Sequence, residues 1–283
     1  MRQFILTKSP DKNGFFEISG KDFRYLKNVL RIETGEEIPI RFPDGNLLIA
    51  TVHKINTNEK KIILKTCETS DSKKTNLPDF KPETEFWLFQ FVAKNQKMNS
   101  IIRQATECGI SKIIPIFGKF SQIESGESNL KIERFKRIIK EARQQSGSAI
   151  ETSISKMISA REACEMWLED TKNRNDALAC VLREHSEQNN QIEDPRSADC
   201  AYASKSIYQA HSIIGKYESI KKCAVVCGSE GGISSSEIQI FENAGFVSVH
   251  FETNILRCET AALYGIAVLQ NLIAEKNTWQ LKE

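Results

Sequence analysis

The stretch Cys223-Ala224-Val225-Val226-Cys227-Gly228-Ser229-Glu230-Gly231-Gly232-Ile233-Ser234 decides how this chain is read. An apolar run with no polar residue, as in a strand buried on both faces, empties into a glycine-rich loop. Ser234 followed by Glu237 is the capping-box pattern that opens a helix. A second unit of this kind follows. Phe246 to Phe251 is a strand candidate, and Ile255-Leu256-Arg257-Cys258-Glu259-Thr260-Ala261 leads into a helix from Glu259 to Ile273 with Ala262, Ile266 and Leu269 facing the core. Two neighbouring strand-loop-helix units can hold a small ligand by backbone groups. The loop fits neither G-x-G-x-x-G nor G-x-x-x-x-G-K-[ST], so on pattern alone a tight turn and a ligand loop both stay open.

Upstream, strands and helices alternate back to Glu85. Phe86 to Val92, Lys112 to Phe117 and Ala177 to Leu182 read as strands. Asn95 to Cys108, closed by Gly109, and the segment carrying Ile132, Phe135, Ile138, Ile139 and Ala142 read as amphipathic helices. Ser186 to Ser206 is polar and reads as an irregular surface insertion. Alternation of this kind implies an α/β domain on a mostly parallel sheet over 85–283. Residues 1–70 differ. Arg2–Leu6, Phe15–Ile18, Glu37–Phe42, Asn46–Ile55 and Lys61–Cys67 are short strand candidates, with a helix over Asp22–Leu30 and a turn at Pro43-Asp44-Gly45. A small β-barrel fits them best. The polar, proline-bearing segment 71–84 reads as the linker between the two domains.

The bulk properties exclude more than they assign. The 283 residues are 40% hydrophobic and 27% charged, with a net charge of +2, so nucleic-acid binding must be argued from where the cations sit. No apolar run reaches the roughly 20 residues a membrane span needs, and the start lacks a signal-peptide pattern, so a cytoplasmic protein is expected. Eight cysteines and four histidines show no Cys-x-x-Cys pair or metal-ligand spacing; the cysteines read as buried hydrophobes in a reducing compartment, with no metal. Neither a Ser-His-Asp order nor a G-x-S-x-G elbow is present. Basic residues gather on three helical faces: Lys21, Arg24, Lys27 and Arg31; Lys94 and Lys97; Lys136, Arg137, Lys140 and Arg143. Each set alone is an ordinary solvated face, but several near one cleft would form a phosphate-binding track.

Four stretches carry a resemblance: Tyr25-Leu26-Lys27-Asn28-Val29-Leu30-Arg31 with Phe42-Pro43-Asp44-Gly45; Lys94-Asn95-Gln96-Lys97-Met98 with Glu107-Cys108-Gly109-Ile110; Ala142-Arg143-Gln144-Gln145-Ser146-Gly147; and the two C-terminal loops. Together they resemble the 16S ribosomal RNA (uracil-N3) methyltransferases of the SPOUT class, the RsmE family. That resemblance implies a PUA-like barrel for RNA, an α/β domain tied in a trefoil knot, S-adenosylmethionine as methyl donor, the small ribosomal subunit or its RNA as substrate, and a homodimer. It places Leu182, Gly228, Glu230, Gly231, Gly232, Phe251, Ile255, Leu256 and Cys258 around the cofactor. Arg257 is expected to stabilise charge on the uracil oxygens, and Glu259, or a water it orients, to take the proton. Arg2, Arg24, Lys27, Arg31, Lys94, Lys97 and Arg143 are expected to hold RNA. The chain departs from the family pattern at Ser229, usually proline; at Glu252, usually glycine; and at Asn254 and Ser148, each usually arginine. Those departures leave a second reading, an RNA-binding relative that has weakened or lost catalysis.

Overall fold

The computed structural model describes residues 3–6, 10–42, 45–66, 82–121, 128–184 and 208–278. They form two compact units, one of Met1–Lys81 with Lys140–Glu151, the other of Pro82–Ile139 with Thr152–Glu283.

The first unit is built on a curled five-stranded sheet of β1 (Phe4–Ile5), β2 (Phe15–Ser19), β3 (Glu37–Arg41), β4 (Leu47–Asn56) and β5 (Lys61–Thr66), in the order β1-β3-β4-β5-β2. Only β1 and β3 run parallel. Alternation along the strands sends Ile38, Ile40, Ala50, Val52, Ile62 and Leu64 into one core with Phe4, Phe23 and Leu26. The expected helix begins as α1 (Gly20–Arg24), then widens into a π-helical turn over Tyr25–Leu30 and stops at Arg31, which takes the left-handed conformation with φ 55°. Pro43 and Asp44 lie outside the described residues; the chain re-enters at Gly45 with φ 86°.

In the second unit six strands form a wholly parallel sheet, as expected. They are β6 (Glu85–Phe91), β7 (Lys112–Ile116), β8 (Ser153–Ile154), β9 (Ala177–Arg183), β10 (Lys222–Cys227) and β11 (Val247–His250), in the order β11-β9-β10-β6-β7-β8. The helices are α2 (Asn95–Glu107), α3 (Ser128–Ser146, whose residues from Lys140 on belong to the first unit), α4 (Ala160–Asp170), α5 (Ala210–Ile214), α6 (Ser235–Asn243) and α7 (Cys258–Thr278). Two cores cover the two faces: Leu88, Ile101, Ile138, Val225 and Leu269 on one, Phe89, Trp167, Val226 and Phe241 on the other. Helix α4 was absent from the sequence reading, although Ser159 and Glu162 form a full capping box at its start. The insertion expected at Ser186–Ser206 lies outside the described residues.

The order of β9, β10 and β11 has a topological consequence. Tyr208 N–H donates to Ser248 O (3.0 Å) and His250 N–H to Tyr208 O (3.1 Å), so Tyr208 pairs with β11. On its other side β11 pairs with β9. Strand β11 therefore lies between the two ends of the loop connecting β9 to α5, as a trefoil knot requires, against the usual avoidance of threaded loops.

At the opposite end of the sheet the buried Lys222 ammonium is held by Glu85 (3.0 Å) and Asp170 and stands 4.2 Å from the centre of the Trp87 ring. Burial pushes the Glu85 carboxyl up, but hydrogen bonds from Trp87, Lys222 and Ser111 and the Lys222 charge outweigh it and hold the group below its ordinary 4.5. A carboxyl lowered by folding contributes stability above its unfolded value and loses that contribution as pH falls through the folded one. Glu85→Gln should therefore flatten the loss of thermal stability below pH 4.5, read as unfolding midpoints across an acid series.

Candidate methyl-donor site

The C-terminal ends of β9, β10 and β11 open onto one cleft of about 710 Å³, within the size range of small-molecule sites. Its walls are the two loops that the sequence singled out. Leu182, Gly228, Glu230, Gly231, Gly232, Phe251, Ile255, Leu256, Arg257 and Cys258 all line it.

The glycine-rich loop is a tight backbone turn. Gly232 N–H donates to Ser229 O (3.0 Å), and Gly232 has φ 75°. A Cβ on Gly228 would stand 2.9 Å from the Gly232 carbonyl carbon, so the loop closes on bare backbone and admits no side chain there. Gln90 supports it from below. Fully buried on β6, its Nε2 donates to Phe91 O (2.9 Å) and Gly228 O (2.9 Å). The only signal for Gln90 in sequence was one polar residue inside the apolar run Phe86–Val92.

The second wall starts from Phe251, whose ring meets Tyr264 edge-on at 5.4 Å. Gly265 on α7 makes room for Leu182, since a Cβ there would stand 2.4 Å from Leu182 Cδ1. Ile255 is 70% exposed and offers aliphatic surface to the cleft. Cys258 is buried, and burial first, then its hydrogen bond to Glu259 (3.3 Å), pushes the thiol up to about 12, so it stays protonated. Glu259 sits in the first turn of α7. Its own backbone N–H holds the carboxyl below the ordinary range, with Cys258, Lys97 and Arg257 adding to the effect against burial.

Lys97, expected on an RNA track, joins the two walls: its ammonium stands 3.5 Å from Glu230 Oε1 and 3.8 Å from Glu259 Oε2. Burial raises the Glu230 carboxyl, but its own N–H, the Lys94 N–H (3.1 Å) and Lys97 together carry it below the ordinary range. Arg257 is exposed on the cleft, and its guanidinium makes no hydrogen bond or ion pair among the described residues.

Other expected site residues lie elsewhere. Glu252 is outside the cleft lining and accepts from Gln209 Nε2 (3.3 Å), whereas Asn254 lines the cleft. Arg24 and Arg31 are exposed and Lys27 half-buried on α1 and the π-helical turn of the first unit, and Lys94 is exposed before α2. Arg143 is 5% exposed, its Nε and Nη2 buried without a hydrogen-bond partner among the described residues. Burial first, and Arg41 alongside, lowers its pKa despite Glu151 nearby. As placed, it presents almost no surface to a phosphate. Arg2 lies outside the described residues. Lys119, Phe120, Arg183 and Glu184 also line the cleft and were not foreseen.

Residues 81–270 match the model of an RNA methyltransferase domain, and residues 18–66 that of an RNA methyltransferase PUA domain. The chain belongs to the RNA methyltransferase family. Its fold within that family is the knotted SPOUT type with a PUA-like unit. It is similar to ribosomal RNA small subunit methyltransferase E 2 of Borreliella burgdorferi, with 28% identity over 98% of this chain and 100% of the relative. It is also similar to ribosomal RNA small subunit methyltransferase E of Aquifex aeolicus, with 29% identity over 86% and 89%. Among solved structures, the Neisseria gonorrhoeae methyltransferase E bound to S-adenosyl methionine matches with a TM-score of 0.70, at 20% identity over 96% of this chain and 98% of the other. A putative methyltransferase from Legionella pneumophila in complex with the same cofactor matches at 0.69, with 19% identity over 96% and 98%.

The cleft fits that cofactor on its own terms. Bare backbone at Gly228, Gly231 and Gly232 allows close approach of a ligand, and Leu182, Phe251, Ile255 and Leu256 offer apolar contact. Among the described residues no helix is long and apolar enough to cross a membrane, and no group of side chains could hold a metal ion.

Proposed function

We propose that this chain methylates N3 of a uridine in the RNA of the small ribosomal subunit, using S-adenosylmethionine held between the loops 228–232 and 251–258. The observation that carries the proposal is the convergence of the two loops on one cleft with Arg257 exposed and Glu259 at its wall. The relatives named as small-subunit RNA methyltransferases, similar over nearly the whole chain, support the substrate. The bound cofactor supplies an already activated methyl group, so the protein's contribution is position and electrostatics.

Uracil N3 carries a proton at neutral pH and is hidden in paired or stacked RNA, so the base must be unpaired or flipped out. Arg257 stabilises the negative charge left on the uracil oxygens, while Glu259 or a water it orients receives the proton. Glu259→Gln should lower the methylation rate about 10²–10⁴-fold while leaving RNA affinity unchanged, measured by single-turnover methyl transfer and filter binding. The exposed Arg24 and Arg31, with Lys27 and Lys94, contribute RNA contacts. Cytoplasmic action as a homodimer completes the reading. RNA binding without catalysis is not favoured, because Glu252, the most disruptive of the departures, lies outside the cleft lining.

A further inference from the structure

Two aromatic rings remain uncovered on the segment after β7: Phe117 is 41% exposed and Phe120 43%. Phe120 lines the methyl-donor cleft together with Lys119. Its backbone is pinned. Phe117 N–H donates to Ile158 O (3.0 Å), Gly118 N–H to Ser121 Oγ (2.9 Å) and Lys119 N–H to Glu237 Oε1 (2.8 Å). Two glycines set the ring's seat. A Cβ on Gly231 would stand 2.8 Å from Phe120 Cβ, and one on Gly118 would strike Glu237 and the Phe91 ring at 2.4 and 2.5 Å. The root of an exposed aromatic side chain is thus fixed directly against the glycine-rich loop.

We infer that Phe120 is the stacking platform for the substrate base, a positioning role for the reaction proposed above and resting on that reading. The cleft grades from a buried end at Cys227 and Cys258, 1% and 6% exposed, to an open rim at Phe120. The enclosed part suits the cofactor and the open aromatic face suits a base delivered from outside. Every base has a π-face, and an exposed, pre-positioned ring holds it without reading sequence. The Lys119 ammonium lies over one face of the ring, 5.8 Å from its centre, so the base stacks on the other face and the cation stands within reach of the nucleotide's phosphate.

The test compares the full chain with Phe120→Ala and Phe120→Trp. Phe120→Ala should lower kcat/KM for small-subunit RNA roughly 5- to 150-fold, the equivalent of about 1–3 kcal/mol per stacked base. Calorimetric affinity for S-adenosylmethionine should stay within about twofold, because stacking of the base does not contribute to it. Phe120→Trp should restore kcat/KM, and its added fluorescence over wild type should be quenched by oligouridylate. Unchanged kcat/KM in Phe120→Ala, a loss wholly in cofactor affinity, or no quenching in Phe120→Trp would overturn the inference. A wild-type chain that transfers no methyl group sinks the proposed reaction instead, and quenching then still decides whether the ring stacks a base.

Discussion

Gly228→Ala should leave the protein folded and weaken its binding of S-adenosylmethionine about 10- to 100-fold. The added methyl would stand 2.9 Å from the carbonyl carbon and 3.0 Å from the Cα of Gly232. The atoms that must yield are backbone, not the end of a flexible side chain. Overpacking of this kind costs about 1–3 kcal/mol, and the strain falls on the turn that presents Glu230, Gly231 and Gly232 to the cleft. The sheet below is anchored independently by the pairing of β10 with β6 and β9, so circular dichroism should change little while calorimetric affinity falls. Unaltered affinity would show that the turn does not hold the cofactor.

Arg257→Ala should separate binding from chemistry. The guanidinium is exposed and has no hydrogen bond or ion pair to lose among the described residues, so stability should move by less than about 0.5 kcal/mol. Cofactor affinity should likewise hold, since the expected contacts of the adjoining wall come from Phe251, Ile255, Leu256 and Cys258. The methylation rate should fall about 10²–10³-fold, the usual cost of removing one group that stabilises developing negative charge. Arg257→Lys should recover part of that loss, because the charge is restored without the planar fork. A large loss of cofactor affinity in Arg257→Ala would reassign the residue to binding.

Much of the fold was legible because local signals agreed with the tertiary outcome. Near-continuous apolar runs gave the buried parallel strands β6, β9 and β10, alternation gave β5, and the turn pattern at Pro43-Asp44-Gly45 set off β3 and β4. The capping box at Ser234 and Glu237 placed the start of α6, with Ser234 Oγ donating to Glu237 Oε2 at 2.6 Å. The same pattern at Ser159 and Glu162 opens α4. Strand order is another matter. That β11 lies between β9 and Tyr208 depends on contacts far apart in sequence, and periodicity carries no information about threading.

Within the site, the two loops could be named from sequence because glycine and strand-end patterns are local. The tie between them could not. Lys97 belongs by spacing to the polar face of α2, yet it stands between Glu230 and Glu259. Arg143 shows the converse. Its neighbours on α3 read as a solvated basic face, but its guanidinium is buried in the first unit with Arg41 nearby. Charge pattern alone cannot distinguish a surface cation from one that the fold encloses.

The central claim is transfer of a methyl group to uracil N3 of small-subunit RNA. The most direct measurement incubates the purified chain with labelled S-adenosylmethionine and small ribosomal subunits or their RNA from a strain lacking the activity, then identifies the modified nucleoside by mass spectrometry after digestion. The account predicts one product, 3-methyluridine, at a single position, formed by the wild-type chain and formed far more slowly, at limiting cofactor, by Gly228→Ala and Arg257→Ala. No incorporation, or methylation of another atom or nucleoside, would contradict it.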